Sequence, residues 1–398
     1  MPIGTPFHPR TLPLCASLNY REWAGYYAVS ADEAHHEHEY NAIRNAAALI
    51  DVSPLYKYLV SGPDAVRLVD RVITRDATKV APGQVIYTPW CDERGKTIDD
   101  GTVTRLDDTT WRWTAADPSL RWLRQNAAGL NVTIEDISEA LAALALQGPT
   151  SGGLLRAVAD ADVDGLKYFR MTRGAIEGVP VQISRTGYTG DLGYEIWVEQ
   201  DGALQVWDAL MARGMAFDIR PTGMLALDVA RIEAGLLLVD VDFNGSRKSL
   251  IDAQRYSPYE MGLGRLVSDG KGPFVGRTPL RREKGAGPKR QVAGLEISWT
   301  EVEALYSRLG LPTQVPTTAS RAPVPVYRGS RQVGKATSTT WSPVLKKLIA
   351  LATIDAPSFA VGTRLEVEMT VEAVRHRVSA DVVATPFYNP SRKTAPLA

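Results

Sequence analysis

The chain has 398 residues, which is enough for two or three domains with substantial cores. Lysine plus arginine equals aspartate plus glutamate, at 45 residues each, and the two signs are interspersed, so the basic surface of a nucleic-acid binder is missing and a small molecule is the expected partner. The two cysteines, Cys15 and Cys91, fit a reducing compartment, and no stretch resembles a signal peptide or a membrane span, so we expect a cytoplasmic protein without a membrane partner.

The first part of the chain alternates helix and strand signals. Apolar residues at helical spacing predict an amphipathic helix that begins near Glu33 and ends at Asp51. The alternating run from Leu55 to Ser61 predicts a strand, which a Gly-Pro-Asp turn separates from a helix with the sequence DAVRLVDRVI. Three further strands predict an antiparallel meander, at Gln84 to Trp90, Thr97 to Arg105 and Trp111 to Ala115.

The rest of the chain keeps this mixture, which predicts an α+β fold rather than a doubly wound sheet. Strands are predicted at Leu141 to Leu146, Val179 to Arg185 and Tyr194 to Val198, and helices at Ala203 to Ala212 and Gly223 to Ala234. Glycine, proline and charge at 271–290 predict a linker between residues 1–270 and a β-rich C-terminal domain at 291–398. Inside that domain we expect a helix near 301–309 and strands at Arg290 to Ile297, Val324 to Tyr327, Gln332 to Ser338 and Leu365 to Val371.

A glycine-rich loop, SRTGYTGDLGYE at 184–195, delivers Glu195 to the start of a predicted strand. Its glycines, Gly187, Gly190 and Gly193, indicate either a backbone that meets a ligand or a tight hairpin. No lysine-serine or lysine-threonine pair follows, so a phosphate-binding loop is not expected.

Asp99 and Asp100 occupy successive positions of a predicted strand, so their side chains point to opposite sides. This excludes a glycosidase-type pair that acts on one face of a substrate. A carboxylate that points inward is costly without a hydrogen-bond partner or a ligand, which makes it a functional candidate. The alternative is an acid near a turn that caps backbone amides.

Six aromatic residues flank the two acids and the glycine loop: Tyr87, Trp90, Trp111, Trp113, Tyr188 and Tyr194. Each alone is most simply a core residue, but together they suit a planar heterocycle whose amino-pyrimidine edge binds a carboxylate. Other chemistries lack support in the sequence. His35 and His38 share a helical face without a third ligand, there is no GxSxG elbow, and Cys91 has no histidine partner by motif, so neither a metal site nor a covalent nucleophile is predicted.

Eight separated segments resemble, in order, the glycine-cleavage T-protein (aminomethyltransferase) superfamily, which includes tetrahydrofolate-dependent demethylases. They are AIRNAAALIDVS (42–53), SGPDA (61–65), VIYTPWCDERGKTIDD (85–100), LALQGP (144–149), SRTGYTGDLGYEIWV (184–198), RIEAGLL (231–237), GPFVGRTPL (272–280) and GKATSTTWSPVLKKLIALATI (334–354). The resemblance implies a three-domain cloverleaf around a central tetrahydrofolate channel, with two interwoven α+β domains in residues 1–270 and a β-barrel-like C-terminal domain.

The resemblance also implies roles for individual residues. Asp100 corresponds to the catalytic acid beside the folate nitrogen that accepts the one-carbon unit. Tyr87 and Tyr188 correspond to aromatic residues of the folate channel, and Glu195 to the carboxylate that binds the pterin edge. Trp113 is assigned to the same tetrahydrofolate site. Such a transfer depends on positioning and proton management rather than on an enzyme nucleophile.

Three departures from the family pattern lie around the substrate and the folate tail. Pro54 replaces the histidine of a DVSHM motif, Leu227 replaces an arginine that would hold the folate tail, and residues 243–260 resemble an insertion in the substrate-side loop. The sequence therefore predicts a demethylase that moves a methyl group from oxygen, sulfur or nitrogen of a small molecule to tetrahydrofolate, without a carrier protein. A glycine-cleavage aminomethyltransferase and a non-catalytic folate-binding protein are the alternatives.

Overall fold

The structure is a computed structural model that describes residues 1–397. Within these residues the chain forms nine α-helices: α1 (His8–Leu14), α2 (Glu37–Asn45), α3 (Ala65–Val72), α4 (Leu120–Asn126), α5 (Ser151–Val158), α6 (Ala203–Gly214), α7 (Met224–Glu233), α8 (Arg277–Ala286) and α9 (Trp299–Arg308).

The same residues form twenty strands: β1 (Asn19–Trp23), β2 (Tyr26–Ala31), β3 (Ala47–Asp51), β4 (Tyr56–Ser61), β5 (Val85–Cys91), β6 (Thr97–Arg105), β7 (Thr110–Ala115), β8 (Thr133–Asp136), β9 (Leu141–Gln147), β10 (Ala159–Asp160), β11 (Met171–Ile176), β12 (Val179–Ser184), β13 (Gly193–Glu199), β14 (Ile219–Pro221), β15 (Arg290–Ile297), β16 (Val324–Arg328), β17 (Arg331–Ser342), β18 (Lys347–Asp355), β19 (Arg364–Val371) and β20 (Val374–Val383).

The strands build three units and one hairpin, β1-β2. Sheet I has the order β10-β11-β12-β13-β9-β3-β14. The β3-β14 pair is parallel, and all other neighbouring strands in this sheet are antiparallel. Sheet II is antiparallel with the order β5-β6-β7-β4-β8. The C-terminal strands close into a barrel with the order β15-β18-β17-β16-β19-β20. The predicted α+β class, the β5-β6-β7 meander and the C-terminal β-barrel are therefore confirmed.

Each unit buries its own apolar core. Helices α5 and α6 pack on one side of sheet I through Leu154, Leu155 and Leu210, and α3 and α4 cover one side of sheet II. Helix α9 packs on the barrel core through Val302 and Leu305. Because apolar residues recur at helical spacing in the helices and at alternate positions in the strands, these cores follow directly from the sequence pattern. The second side of sheet II is different, and it carries the candidate site.

The prediction of one helix that ends at Asp51 is wrong for the second half of that segment. Helix α2 ends at Asn45, Ala46 leaves helical geometry with φ −142° and ψ −130°, and Ala47–Asp51 becomes strand β3. The side chains of residues 47–50 are all buried, and β3 lies between β9 and β14 in sheet I. A short apolar run that is covered on both faces has no alternation, so its periodicity does not distinguish helix from strand.

The segment predicted to be a linker, 271–290, contains helix α8. Leu280 on this helix is buried against Cys91, Val267 and Phe274, so the segment packs on the N-terminal region although it is rich in charge. The domain boundaries themselves stay a prediction.

Candidate active site

Sheet II turns a polar face toward sheet I. Strand alternation sends Val103, Trp111 and Trp113 into the apolar core and leaves seven residues on the opposite side, which we call the polar face: Lys57, Tyr87, Asp100, Thr102, Thr104, Arg112 and Thr114. Cross-strand pairing sets these residues side by side, with Tyr87 opposite Thr102, Thr104 opposite Arg112 and Lys57 opposite Thr114. Most of them are buried, Lys57 completely. Burial of so many polar groups is unfavourable unless partners are supplied, which makes this face a candidate ligand site.

Asp100 and Tyr87 form the central pair of the polar face. The Tyr87 hydroxyl donates a hydrogen bond to Asp100 Oδ2. Burial raises the pKa of Asp100 to about 6, although the bond from Tyr87 acts in the opposite direction. Burial and the neighbouring carboxylate raise the pKa of Tyr87 well above its ordinary value, so this phenol stays protonated. Asp100 can therefore gain or lose a proton near neutral pH while Tyr87 holds it in place.

Asp99, on the opposite side of the strand, has a structural environment. Its side chain is fully buried, Oδ1 accepts the N–H of Asp100 at 2.8 Å, and Oδ2 accepts the N–H groups of Ala116 and Asp117 at 3.1 and 2.9 Å. Burial, followed by the charge of Asp100, raises the pKa of Asp99. Asp99 therefore fits the alternative of an acid that caps backbone amides, and Asp100 stays the candidate site residue.

Two further candidates lie outside sheet II. Tyr188 lies in the glycine-rich loop, and Glu195 lies on β13 of sheet I. Glu195 is half-buried on β13, where Oε2 accepts a hydrogen bond from Thr186 Oγ1 at 2.6 Å, and burial raises its pKa. The Tyr188 hydroxyl donates to the Leu237 carbonyl oxygen. Burial raises the pKa of Tyr188, and the charge of Asp100 acts in the same direction, which places the two side chains in one electrostatic environment. The structure thus places Asp100 in contact with Tyr87 and within electrostatic reach of Tyr188, with Glu195 on the facing sheet.

Trp113 is not brought to this face. It is fully buried on the other side of β7, in the core of sheet II, with its ring 4.8 Å from that of Trp90 in an edge-to-face arrangement. Because Arg112 and Thr114 flank it in sequence and lie on the polar face, strand alternation itself sends Trp113 away from them.

The three loop glycines have packing reasons. A Cβ atom on Gly187 would lie 2.0 Å from Gln147 Oε1, and one on Gly193 would lie 2.2 Å from the same atom. Gly190 has φ +72°, and its Cβ would meet Ala234 at 2.4 Å. Gln147 is fully buried and donates to the Thr186 and Tyr194 carbonyl oxygens, so the loop wraps around this amide. The tight-hairpin reading therefore explains the glycines, while Glu195 at the loop end remains a site candidate.

Two buried cations of the polar face were missed by sequence reasoning. Arg112 is 2% exposed, with its guanidinium carbon 4.0 Å from the ring centroid of Trp197 in sheet I. Lys57 is fully buried, donates from Nζ to the Ser53 carbonyl oxygen at 2.5 Å, and has its pKa lowered by burial to about 8. The sequence did contain a signal, because in Thr110–Ala115 an arginine stands between two tryptophans of a strand that points them inward.

Residues 1–397 contain no cluster suited to a metal ion and no membrane-spanning helix. No group of three or more His, Cys, Asp or Glu side chains in that range is arranged to hold a metal ion. His38 Nδ1 instead contacts Glu33 Oε2 at 2.9 Å, and Cys15 and Cys91 are buried and unpaired. None of the helices there is both long enough and apolar enough to span a membrane.

Comparisons with known proteins agree with this architecture. Residues 16–271 match the GCVT N-terminal domain, and residues 309–389 match the glycine cleavage T-protein C-terminal barrel domain. In fold, the chain resembles the crystal structure of glycine cleavage system aminomethyltransferase T from Bartonella henselae, with a TM-score of 0.80 over 98% of this chain and 99% of that one, at 22% sequence identity.

Similar sequences carry two kinds of name. An aminomethyltransferase of Bacillus pumilus is 33% identical over 356 residues, which are 88% of this chain and 89% of that protein. An aminomethyltransferase of Moorella thermoacetica is 34% identical over 360 residues, 89% and 90% of the two chains. A trimethylamine-oxide aldolase of Ruegeria pomeroyi is 35% identical over 406 residues, 98% of this chain but 48% of that longer protein. The chain therefore belongs to the glycine cleavage T-protein family of enzymes.

Proposed function

We propose that the protein is a tetrahydrofolate-dependent one-carbon transferase, and specifically a demethylase that moves a methyl group from a small molecule to tetrahydrofolate. The observation that carries the proposal is the Asp100–Tyr87 pair, an acid with a pKa near 6 on a buried polar face. When bound, tetrahydrofolate supplies the nucleophilic nitrogen that accepts the one-carbon unit. The residues present fit tetrahydrofolate, because Glu195 can accept hydrogen bonds from an amino-pyrimidine edge and Tyr188 offers an aromatic ring for stacking.

The chain's own residues then manage position and protons. Asp100 holds or releases a proton at its carboxyl oxygen as the transfer changes the basicity of nearby atoms. Tyr87 fixes the orientation of that carboxyl group through its hydroxyl. Sheets I and II exclude water from the buried part of the face, which strengthens each of these interactions. No covalent enzyme intermediate is required by this arrangement.

The preference for a demethylase over an aminomethyltransferase rests on the substrate side. Residues 243–260, the insertion-like segment, pack beside the start of β6: Ser246 N–H donates to the Thr97 carbonyl oxygen at 2.8 Å, and Thr97 N–H donates to the Tyr256 carbonyl oxygen at 2.7 Å. Lys248 in this segment pairs with Asp117 at 2.6 Å, next to the amides that Asp99 caps. The segment therefore borders the Asp100 end of the strand. The preference for a small donor over a lipoyl arm rests on the position of this segment, which resembles an insertion in the substrate-side loop.

The folate tail would meet arginines other than the one that Leu227 replaces. Leu227 lies in an apolar cluster with Tyr188 beside it. The next residue, Asp228, accepts hydrogen bonds from Arg321 Nη2 at 2.6 Å and Arg21 Nη1 at 3.4 Å. Arg231 also lies 3.5 Å from Asp228 and pairs with Asp242. Three guanidinium groups around two carboxylates leave an excess of positive charge, which suits the carboxylates of a glutamyl tail.

The relatives leave the choice of reaction open, since aminomethyltransferases and a trimethylamine-oxide aldolase are similar to the chain to the same degree. The deciding experiment is incubation of the protein with tetrahydrofolate and a panel of methyl ethers, thioethers, sulfonio compounds and N-methyl amines, with folate products identified by mass spectrometry. Formation of 5-methyl-tetrahydrofolate from one donor class supports the demethylase. A methylene product that requires an aminomethylated lipoyl carrier would establish the aminomethyltransferase instead.

Folate binding without any product would favour a binding protein that has lost turnover, and absence of folate binding would overturn the proposal. The buried unpaired thiols of Cys15 and Cys91 suit a reducing compartment, so we place the reaction in the cytoplasm.

A further inference from the structure

Arg112 is a buried cation whose hydrogen bonds are almost entirely unmet. Within residues 1–397 its hydrogen bonding is limited to one bond from Nη1 to Gln182 Oε1, at 2.7 Å, and Nε is buried without a partner. Glu195 is the carboxylate whose charge reaches it, yet the two groups do not form an ion pair in the part of the chain that the structure describes. Burial lowers the pKa of Arg112 to about 9.

Other buried arginines of the same chain show how the fold normally treats this group. Arg44 pairs with Glu233 at 2.6 Å and with Asp191 at 3.2 Å, and Arg231 pairs with Asp242 at 2.5 Å. Arg185 donates to four backbone carbonyl oxygens near the C-terminus and the Leu166 turn. Each of these has counter-charges or several acceptors. Arg112 has a single neutral amide oxygen, so its environment is incomplete.

The position of Arg112 indicates which kind of group would complete its hydrogen bonding. Arg112 lies on the polar face of sheet II and stacks over Trp197, which is two residues beyond Glu195 on the same strand and therefore on the same side of sheet I. Glu195 is itself half-buried, and its carboxylate accepts a hydrogen bond from the Thr186 hydroxyl. Arg112, which can only donate hydrogen bonds, and Glu195, which can only accept them, therefore lie on opposite sheets and face the space between these sheets without forming an ion pair.

We propose that Arg112 and Glu195 together read the 2-amino-4-oxo edge of the pterin ring, with Arg112 donating to the 4-oxo oxygen while Glu195 accepts from the ring N–H and the 2-amino group. This inference rests on the proposed function and adds to it a residue that determines ligand specificity. Glutamate alone would also accept a ring with an amino group in place of the 4-oxo group. Arg112 opposes such a ring, because an N–H donor would then meet another donor and leave both unpaired.

The test compares tetrahydrofolate with its 4-amino analogue, in which the 4-oxo group is replaced by an amino group. Affinities are measured by isothermal titration calorimetry for the wild type, for Arg112→Met, and for Arg112→Gln as a second variant that retains an N–H donor. We expect the wild type to prefer tetrahydrofolate by roughly 100-fold or more, and Arg112→Met to lower that preference below about tenfold. Arg112→Gln should fall between the two.

A thermal denaturation readout separates recognition from structure. Because Arg112→Met removes a buried charge that lacks a counter-ion, the ligand-free variant should melt at the same temperature as the wild type or higher. Arg10→Met, at an exposed pair with Asp208, is the control and should leave the ligand preference unchanged. If Arg112→Met and Arg112→Gln keep the wild-type preference, or weaken both ligands equally while lowering the melting temperature, Arg112 has a structural role and the inference is wrong.

Failure of the proposed function gives a different result. A wild-type protein that binds neither tetrahydrofolate nor its 4-amino analogue would overturn the folate proposal itself, before any variant is compared.

Discussion

Replacement of Asp100 by asparagine separates the proposed catalytic role of this residue from its cost to the fold. Burial raises the pKa of Asp100 to about 6 in the folded protein, from an ordinary value of 3.8. Between these two values the folded state binds more protons than the unfolded state, so this group's contribution to stability grows as the pH falls and is most unfavourable above pH 6. At about pH 8 the penalty for holding the ionised carboxylate amounts to at most about 3 kcal/mol.

Asparagine is neutral and its Oδ1 can still accept the Tyr87 hydroxyl, so Asp100→Asn removes the penalty and keeps the contact. Allowing for partial solvent access, we expect the free energy of unfolding to rise by about 1–3 kcal/mol near pH 8, and the gain to fall to roughly half near pH 5. Turnover should drop by at least about 100-fold while tetrahydrofolate still binds. Urea denaturation at the two pH values, single-turnover assays and calorimetric titration measure the three quantities.

The control is Asp108→Asn, because the Asp108 side chain is 89% exposed and its loss should change none of them. A variant of Asp100 that is no more stable than the wild type near pH 8, or whose gain increases toward pH 5, would refute the reasoning from burial. Full turnover in Asp100→Asn would refute the catalytic assignment.

Three further variants test the partner of Asp100, the glycine-rich loop and the proposed folate-tail site. Tyr87→Phe removes the hydrogen bond that lowers the pKa of Asp100, so the kinetic pKa near 6 should move up by about half a unit to one unit, which a pH profile of kcat/KM will show. Gly187→Ala should destabilise the protein by about 2 kcal/mol through its clash with Gln147, and in a Gln147→Ala background, measured by a double-mutant cycle, most of that loss should disappear. Arg21→Ala should weaken tetrahydrofolate roughly tenfold but leave tetrahydropteroate, which has no glutamyl tail, unaffected; equal losses for both ligands would contradict a tail site.

Strand alternation made part of the site predictable from the sequence. A strand with adjacent aspartates must place them on opposite sides, and the structure separates Asp99, which caps amides, from Asp100, which faces Tyr87. The resemblance to a known family then selected Asp100, Tyr87, Tyr188 and Glu195, and the fold puts Asp100 in contact with Tyr87 while Glu195 lies on the facing sheet. Strand alternation and the family motif both point to Asp100, because both depend on residues that are close together in the sequence.

Other features depend on contacts that a pattern does not contain. The glycines of the loop at 184–195 wrap around Gln147, which lies some forty residues earlier in the chain, so their reason is visible only when β9 and β13 are paired. Trp113 was grouped with the site because it is close to it in sequence, although its side of the strand faces the core. Arg112 was overlooked because its partner surface, Gln182 and Trp197, comes from a different sheet.

Burial has two outcomes for the cations of this chain, and the difference depends on whether a carboxylate partner is present. Arg44 and Arg231 are buried, but their carboxylate partners raise their pKa values above the ordinary arginine value. On the polar face, burial lowers the pKa of Lys57 and Arg112 and raises that of Asp100, because no protein group nearby compensates their charges fully. The fold neutralises Arg44 and Arg231 with carboxylates, whereas the buried charges of the polar face have no full counter-charge, which lowers the stability of the ligand-free protein. We therefore expect a ligand that supplies the missing partners to stabilise the protein on binding.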